Sequence, residues 1–219
     1  MTLSDARLSM IKRAAREIRA GMTVNLGIGY PTQVVNYLEP NLPVWLHSEN
    51  GIVGVGPALP YEEADPNLID AGGQYISEIP GTSYMDSAVS FSLVRSGRLD
   101  LTILGAFEVA MNGDLANWII PGRFTPGAGG AVELAQKACR VVVLTTHRDK
   151  QGRSKIVKNC SLPLTAKNCV KGIYTDMAVM EVVKEGLLLK EIAKEVSLDE
   201  VIAATDAPLI LPDAEIPRF

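Results

Sequence analysis

The sequence predicts an α/β fold built on parallel strands. Two continuous apolar runs, LTILGA (101–106) and RVVVLTT (140–146), read as strands buried on both faces. A helical stretch, AVELAQKA (131–138), lies between them, and strand–helix alternation is the mark of that class. At 219 residues the chain can bury a generous core, and no linker, repeat or low-complexity segment divides it. A single domain over 1–219 is therefore expected.

Taken in order, residues 5–20 put Leu8, Ile11, Ala15 and Ile18 on one helical face, with Ser4 as N-cap and Gly21 as stop. TVNLGIG follows as a short strand ending in glycines. YPTQVVNYL reads as a helix with Pro31 in its first turn. VWLH (44–47) is a short strand that leads into the SENG loop. In the last quarter, MAVMEVVKEGLLLKEI (177–192) reads as a β-hairpin around a KEG turn. Ser197-Leu-Asp-Glu200 is a capping box that opens a final helix. The tail PLILPDAEIPRF carries three prolines and should be extended, either docked or loose.

Composition narrows the function classes. A net charge of -4 offers no broad basic face for nucleic acid. No apolar run is long enough to span a bilayer, and the amphipathic first twenty residues lack the apolar block of a secretory signal, so a cytoplasmic chain is expected. Three cysteines (Cys139, Cys160, Cys169) match no metal or redox spacing and read as buried free thiols. With only His47 and His147 beside them, no metal site is expected.

Three glycine-bearing segments follow predicted strands: NLGIGYP (25–31), SENGIVGVGP (48–57) and PGAGGA (126–131). Loops at the carboxyl ends of parallel strands are where open α/β sheets bind ligands, so a shared site at that edge is expected. Gly27-Ile-Gly29 falls short of a dinucleotide fingerprint, because Thr32 stands where the third glycine belongs. GVGP lacks the Lys-Ser/Thr of a phosphate loop. Within these segments Glu49 is the one acid beside His47, Ser48, Asn50 and Gly51. Read alone it is a solvated or amide-capping loop residue; in an enzyme lacking a Ser/Cys–His pair or a metal cluster it is the best available nucleophile.

SENGIVGVGP, with VNLGIG (24–29), GDLANWIIPG (113–122) and PGAGGA, resembles the β subunit of family I CoA transferases, the 3-oxoacid CoA transferases, from about residue 7 to about residue 205. The resemblance implies a Rossmann-like, open, mostly parallel sheet with flanking helices, shared with certain sugar-phosphate isomerases. It implies ping-pong catalysis in which Glu49 is the covalent nucleophile and passes through a glutamyl-CoA thioester. Gly130 matches the backbone oxyanion donor. Asn25 and Asn117 match asparagines of the acyl pocket. Gly51, Gly54, Gly56 and Gly129 are expected at the substrate site, where glycine lets a large CoA approach the backbone; turn geometry is the equally compatible reading of Gly51, Gly54 and Gly56. Coenzyme A is then a co-substrate and covalent intermediate, with no permanently bound cofactor. The partner implied is a CoA transferase α subunit, in a heterodimer or heterotetramer, supplying much of the CoA contact and a second oxyanion donor.

The acids exchanged are less legible. Relatives that use succinyl-CoA tend to carry Lys where Gly73 stands, whereas the segment from IYTDMAVMEV onward looks closer to the 3-oxoadipate branch. The expectation stops at a 3-oxoacid, acetoacetate or similar. The rival readings are a phosphosugar-sensing or isomerase module on the same fold and a non-catalytic subunit. His47 shares a strand face with Glu49 by period two and reads as a packed histidine, with tuning of the carboxylate as the functional alternative. Trp118, Ile119 and Ile120 read as core beneath the pocket. Tyr84 and Met85 border either the acyl site or a subunit contact.

Overall fold

The computed structural model describes residues 4–123 and 127–219. The chain opens with α1 (Asp5–Ala15), then β1 (Thr23–Leu26), a short 3-10 helix over Pro31–Tyr37, β2 (Trp45–Ser48), β3 (Ile52–Ala58) and β4 (Ile76–Tyr84). The middle holds α2 (Ser87–Arg95), β5 (Leu101–Leu104), β6 (Glu108–Ala110), β7 (Leu115–Ala116), α3 (Ala131–Lys137) and β8 (Arg140–Leu144). The last part holds β9 (Ile156–Val157), β10 (Val170–Tyr174), β11 (Ala178–Val183), β12 (Gly186–Ile192), α4 (Leu198–Ala204) and β13 (Leu209–Ile210).

Ten of these strands form one sheet in the order β13-β12-β11-β10-β8-β5-β1-β2-β3-β4. Its centre, β10-β8-β5-β1-β2, is parallel throughout. Antiparallel strands extend both sides: β3 and β4 beyond β2, and the hairpin β11–β12 beyond β10. The runs at 101–106 and 140–146 supply central strands; in β5 every residue is buried, and β8 is buried from Val141 on. From β1 the chain runs outward through β2, β3 and β4, then returns to the other side of β1 as β5. The β1/β5 boundary is therefore the topological switch point of the sheet, where ligand crevices form in this class.

Two core clusters cover the sheet. One gathers Met10, Ile11, Ala14 and Ile18 of the N-terminal segment against Val24, Leu46, Ile103 and Leu144. The other packs Leu134 and Ala135 of α3 and Val201 of α4 against Val143, Ile173, Met180 and Leu189. The first helix stops at Ala15, not near residue 20. Arg16, Glu17 and Ile18 donate their N–H groups three residues back, which tightens the last turn, while Ile18 stays buried. Ser4 makes no side-chain cap. Arg13 anchors this helix to β12: Nε and Nη2 donate to the two carboxylate oxygens of Glu191 at 2.8 and 2.6 Å, and that pairing holds the guanidinium firmly charged.

The capping box of α4 forms as the sequence reads, with Ser197 Oγ accepting from Glu200 N–H and Glu200 Oε2 accepting from Ser197 N–H. The tail is docked: β13 pairs with β12, and Phe219 is buried. The thiols differ from expectation. Cys139 is exposed, because it lies in the turn between α3 and β8, and Cys160 and Cys169 are half-buried. Burial pushes the last two thiols up, to about 12 and about 11. Among the described residues no helix is long and apolar enough to cross a membrane, and no group of His, Cys, Asp and Glu is placed to hold a metal ion.

His147 is buried between Thr175 Oγ1 and Thr205 Oγ1, each 2.9 Å from a ring nitrogen. Desolvation lowers its pKa from 6.5 to about 4, although Asp176 acts to raise it. A folded pKa below the unfolded one means that the unfolded chain takes up a proton first as pH falls. Stability contributed by neutral His147 is present above pH 6.5 and is lost on acidification toward pH 4, about 3 kcal/mol in all. In His147→Gln the decline of denaturant-unfolding stability across that window should be visibly shallower.

Candidate active site

The site is built at the carboxyl end of β2. There the chain reverses at once: the Gly51 N–H donates to Ser48 O at 3.0 Å, while His47 pairs with Val53 and Ser48 with Ile52. Glu49 and Asn50 form the tip of this hairpin. The segment expected to be a long glycine loop is thus a tight turn followed by strand β3, because GIVGVGP alternates buried and partly exposed residues along an antiparallel ladder.

Each residue around Glu49 fixes the turn. Ser48 Oγ accepts from Ala71 N–H at 2.8 Å, and Asn50 Nδ2 donates to Ile69 O at 2.8 Å, so both flanks hold the 69–71 segment. Gly51 sits at φ 126°, and a Cβ there would come within 2.0 Å of Met85 O. Gly54 and Gly56 lie inside β3, where a Cβ would meet Thr82 Cα at 2.9 Å and Ser77 Oγ at 2.6 Å. The close approach that requires these three glycines is that of the protein's own β4 and the turn after it.

Glu49 points back over the parallel strands. Asn25 Nδ2 on β1 donates to Glu49 Oε2 at 2.9 Å and to His47 O at 3.2 Å. Asn25 is itself 1% exposed and sits in register between Thr102 of β5 and His47 of β2. Thr102 Oγ1 donates to Asn25 Oδ1 at 3.3 Å, which fixes the direction of the amide. From the other side comes Gly130, the N-cap of α3. A Cβ on it would lie 3.2 Å from Glu49 Cγ and Oε1 and 3.0 Å from Phe91 Cζ. The ion pair between Arg95 of α2 and Glu133 of α3, at 2.8 Å, helps place that corner.

The remaining expected site residues are arranged differently. Gly129 has φ 54° and open space where a side chain would be. Of PGAGGA, residues 127–131 lead into α3; Pro126 and the two residues before it, on which the expectation of a preceding strand falls, lie outside the described residues. The Asn117 amide is engaged within the fold, Nδ2 donating to Gly105 O at 3.1 Å and Oδ1 accepting from Thr165 Oγ1 at 2.6 Å. Trp118, Ile119 and Ile120 are half-buried and do not form core, because they follow β7 out of the small β7-β6-β9 sheet. Tyr84 is 55% exposed, and its hydroxyl donates to Glu78 at 2.6 Å.

Sequence reasoning missed Thr102, Ser90 and Phe91. Thr102 could have been noticed as the one polar residue in the run LTIL; Ser90 and Phe91 carried no signal, because only the packing of α2 brings them to the site. The resulting arrangement is a half-buried carboxylate held by an amide donor, facing a residue with no room for a side chain. That suits a nucleophile poised beside a backbone.

The model of the coenzyme A transferase family matches residues 7–204. The chain belongs to that family. The transferase is 47% identical over 203 residues to the beta subunit of a probable coenzyme A transferase of Bacillus subtilis (strain 168), covering 93% of this chain and 94% of that protein. It is 47% identical over 202 residues to the B subunit of the succinyl-CoA:3-ketoacid coenzyme A transferase of Helicobacter pylori (strain ATCC 700392 / 26695), covering 92% and 97%. It is 46% identical over 211 residues to the B subunit of a 3-oxoadipate CoA-transferase of Pseudomonas putida, covering 96% and 99%. An acyl-CoA transferase of E. coli O157:H7, solved as a thioester complex with CoA, superimposes with a TM-score of 0.74 at 18% identity. That alignment takes in all of this chain and 43% of that one. Glutaconate coenzyme A-transferase from Acidaminococcus fermentans gives 0.69 at 14%, covering 99% and 92%. At those identities the likeness speaks for the fold, an open α/β sheet.

The transferase is an enzyme with coenzyme A as co-substrate, and family membership replaces the phosphosugar alternative. Gly130→Ala tests the tight side of the site. Its φ of -76° suits any residue, so the fold should tolerate the change, while the new methyl would crowd Glu49 and Phe91. A displacement of that kind is expected to lower kcat by about 10²-fold or more with little change in melting temperature.

Proposed function

We propose that the transferase is the β subunit of a 3-oxoacid CoA transferase and that Glu49 carries the acyl and CoA groups. The observation that supports this most directly is the placement of Glu49, with Asn25 Nδ2 on Oε2 and Gly130 against Cγ and Oε1. A Glu49 oxygen attacks the thioester carbonyl of the donor, forming a mixed anhydride and expelling CoA thiolate. The thiolate attacks the glutamyl carbonyl, releasing the first acid as its carboxylate and leaving a glutamyl-CoA thioester. The acceptor acid reverses both steps and departs as the new acyl-CoA. The Gly130 N–H serves as oxyanion donor to the tetrahedral intermediates, and Asn25 orients the carboxylate for attack. Asn117 shapes the acyl pocket by pinning Gly105. Gly51, Gly54 and Gly56 let the hairpin pack tightly on β4, and Gly129, with open space beside it, leaves room for CoA to pass. Both reactive intermediates hydrolyse if wetted, so the site must close when loaded.

The partner is an α subunit. The bacterial relatives are named as B or beta subunits, hence as parts of larger enzymes. Ile28 (73% exposed) and Ile69 (39%) stand uncovered beside the hairpin, apolar surface that suits a protein contact. The substrate class is a 3-oxoacid of the acetoacetate kind. Relatives named for 3-ketoacid and for 3-oxoadipate transfer match this chain about equally, which supports a 3-oxoacid as the shared substrate class. The test is mass spectrometry of the α–β complex after brief incubation with acetoacetyl-CoA and then with a panel of acyl-CoAs. A CoA-sized adduct on Glu49, absent in Glu49→Ala, is expected; a folded, CoA-binding complex with no adduct from any donor would overturn the assignment.

A further inference from the structure

We infer that His47 is a positioning residue for the transfer reaction: its neutral ring, bound to Ser90, sets an acceptor nitrogen beside its own backbone carbonyl, and the two together hold the Asn25 amide against Glu49. This rests on the reading of Glu49 as nucleophile. Asn25 Nδ2 has two hydrogens. One goes to Glu49 Oε2 at 2.9 Å. The other has two acceptors within reach, His47 O at 3.2 Å and His47 Nδ1 at 3.4 Å, and both belong to the same residue. Because Asn25 Nδ2 can only donate, Nδ1 must be the unprotonated nitrogen. The proton then sits on Nε2, which lies 2.8 Å from Ser90 Oγ and donates to it.

The three side chains Thr102, Asn25 and His47 are in register on adjacent central strands, all buried, and Ser90 of α2 closes the row. A buried polar row across an otherwise apolar sheet carries a desolvation cost that simple packing would avoid. At its centre, Asn25 delivers the hydrogen bond that leaves the row, to Glu49. A protonated ring would turn an N–H toward the Asn25 amide hydrogens and set donor against donor. The charge acting on the ring is that of Glu49 from the hairpin; on its other side the residue borders a cavity of about 330 Å³, lined also by Trp45, Leu93 and Arg98. Burial lowers the pKa of the ring below 6.5, outweighing the raising effect of Glu49. Once Glu49 carries an acyl or CoA group its charge is gone, so the ring is neutral through the covalent half of the cycle as well.

The experiment uses the assembled α–β complex and follows two readouts against pH from about 4.5 to 8, a range that brackets the ordinary histidine pKa. They are the rate of glutamyl-CoA adduct formation by quenched mass spectrometry, and kcat and KM of exchange. The wild type should show an acid limb in kcat below pH 6.5. His47→Leu should lower kcat about 10-fold or more at neutral pH with KM little changed, as loss of orientation does. His47→Gln keeps an N–H for Ser90 and an oxygen for Asn25; it should retain most of the neutral rate and lose the histidine limb. Ser90→Ala, which touches neither Asn25 nor Glu49, should move the limb, with the melting temperature recorded on the same complex to show that it is folded. Absence of any adduct in the wild type would strike the nucleophile reading. Normal adduct formation in the wild type, with a pH profile of kcat that is the same in folded Ser90→Ala and His47→Gln, would overturn the role of His47.

Discussion

Glu49→Ala is expected to abolish CoA exchange, with kcat lower by on the order of 10⁵-fold, the scale on which removal of a covalent nucleophile operates. The fold should be intact, because Glu49 is at a hairpin tip and the turn is held by Ser48, Asn50 and Gly51. Asn25 would lose one acceptor but keep His47 O. Glu49→Asp is the sharper version of the test. It keeps the charge but withdraws the carboxylate by one methylene from Asn25 Nδ2 and from the Gly130 backbone. Misplacement by about 1 Å can cost about 10²-fold, so Asp should recover only a small part of the lost rate. Steady-state exchange, with melting temperature recorded on the same samples, checks both; an Asp variant close to wild type would show that the geometry around Oε2 is not what positions the attack.

Gly51→Ala should fail at folding rather than chemistry. A Cβ at Gly51 would stand 2.0 Å from Met85 O, and both atoms are held by backbone: Met85 N–H donates to Gly51 O at 2.9 Å, locking the two segments face to face. The φ of 126° adds strain of its own for any other residue. Relief requires β3 and the chain after β4 to part, at a cost of about 4 kcal/mol or more. For a chain of this size that lowers the melting temperature by about 10 °C. Gly73→Ala is the control. Gly73 also has a positive φ, 80°, but nothing lies within 4 Å of the position its Cβ would take, so only about 1 kcal/mol is expected. If the two alanine variants melt alike, positive φ alone, not the Met85 contact, accounts for Gly51.

Much of the fold was legible because its signals are local. The strands at 101–104 and 140–144 are all but continuously apolar, which buried parallel strands must be, and the hairpin at 178–192 and the capping box at Ser197 are set by neighbours within a few residues. Glu49, Asn25 and Gly130 were singled out through resemblance, as residue types in a familiar order, and the fold places them side by side. Local pattern misled where tertiary packing took over. GIVGVGP reads as a flexible loop, but β4 makes it a strand, and its glycines answer to Thr82 and Ser77. The helix that begins at Asp5 has apolar periodicity through Ile18, yet its last turn tightens after Ala15.

What the sequence by itself determined is the class of fold and the family, because burial pattern and residue type are carried by the chain in one dimension. What only the tertiary structure decided is the set of groups that gather around Glu49, some touching it and some holding those that do. Asn25, Thr102, Ser90 and Gly130 come from β1, β5, α2 and the start of α3, segments far apart in the chain. They converge because the strand order reverses beside β1, which brings the ends of β1, β2 and β5 to one edge and sets α2 and α3 against it. Sequence spacing holds no record of such a meeting, since it arises from the crossing of strands and not from any periodicity along them.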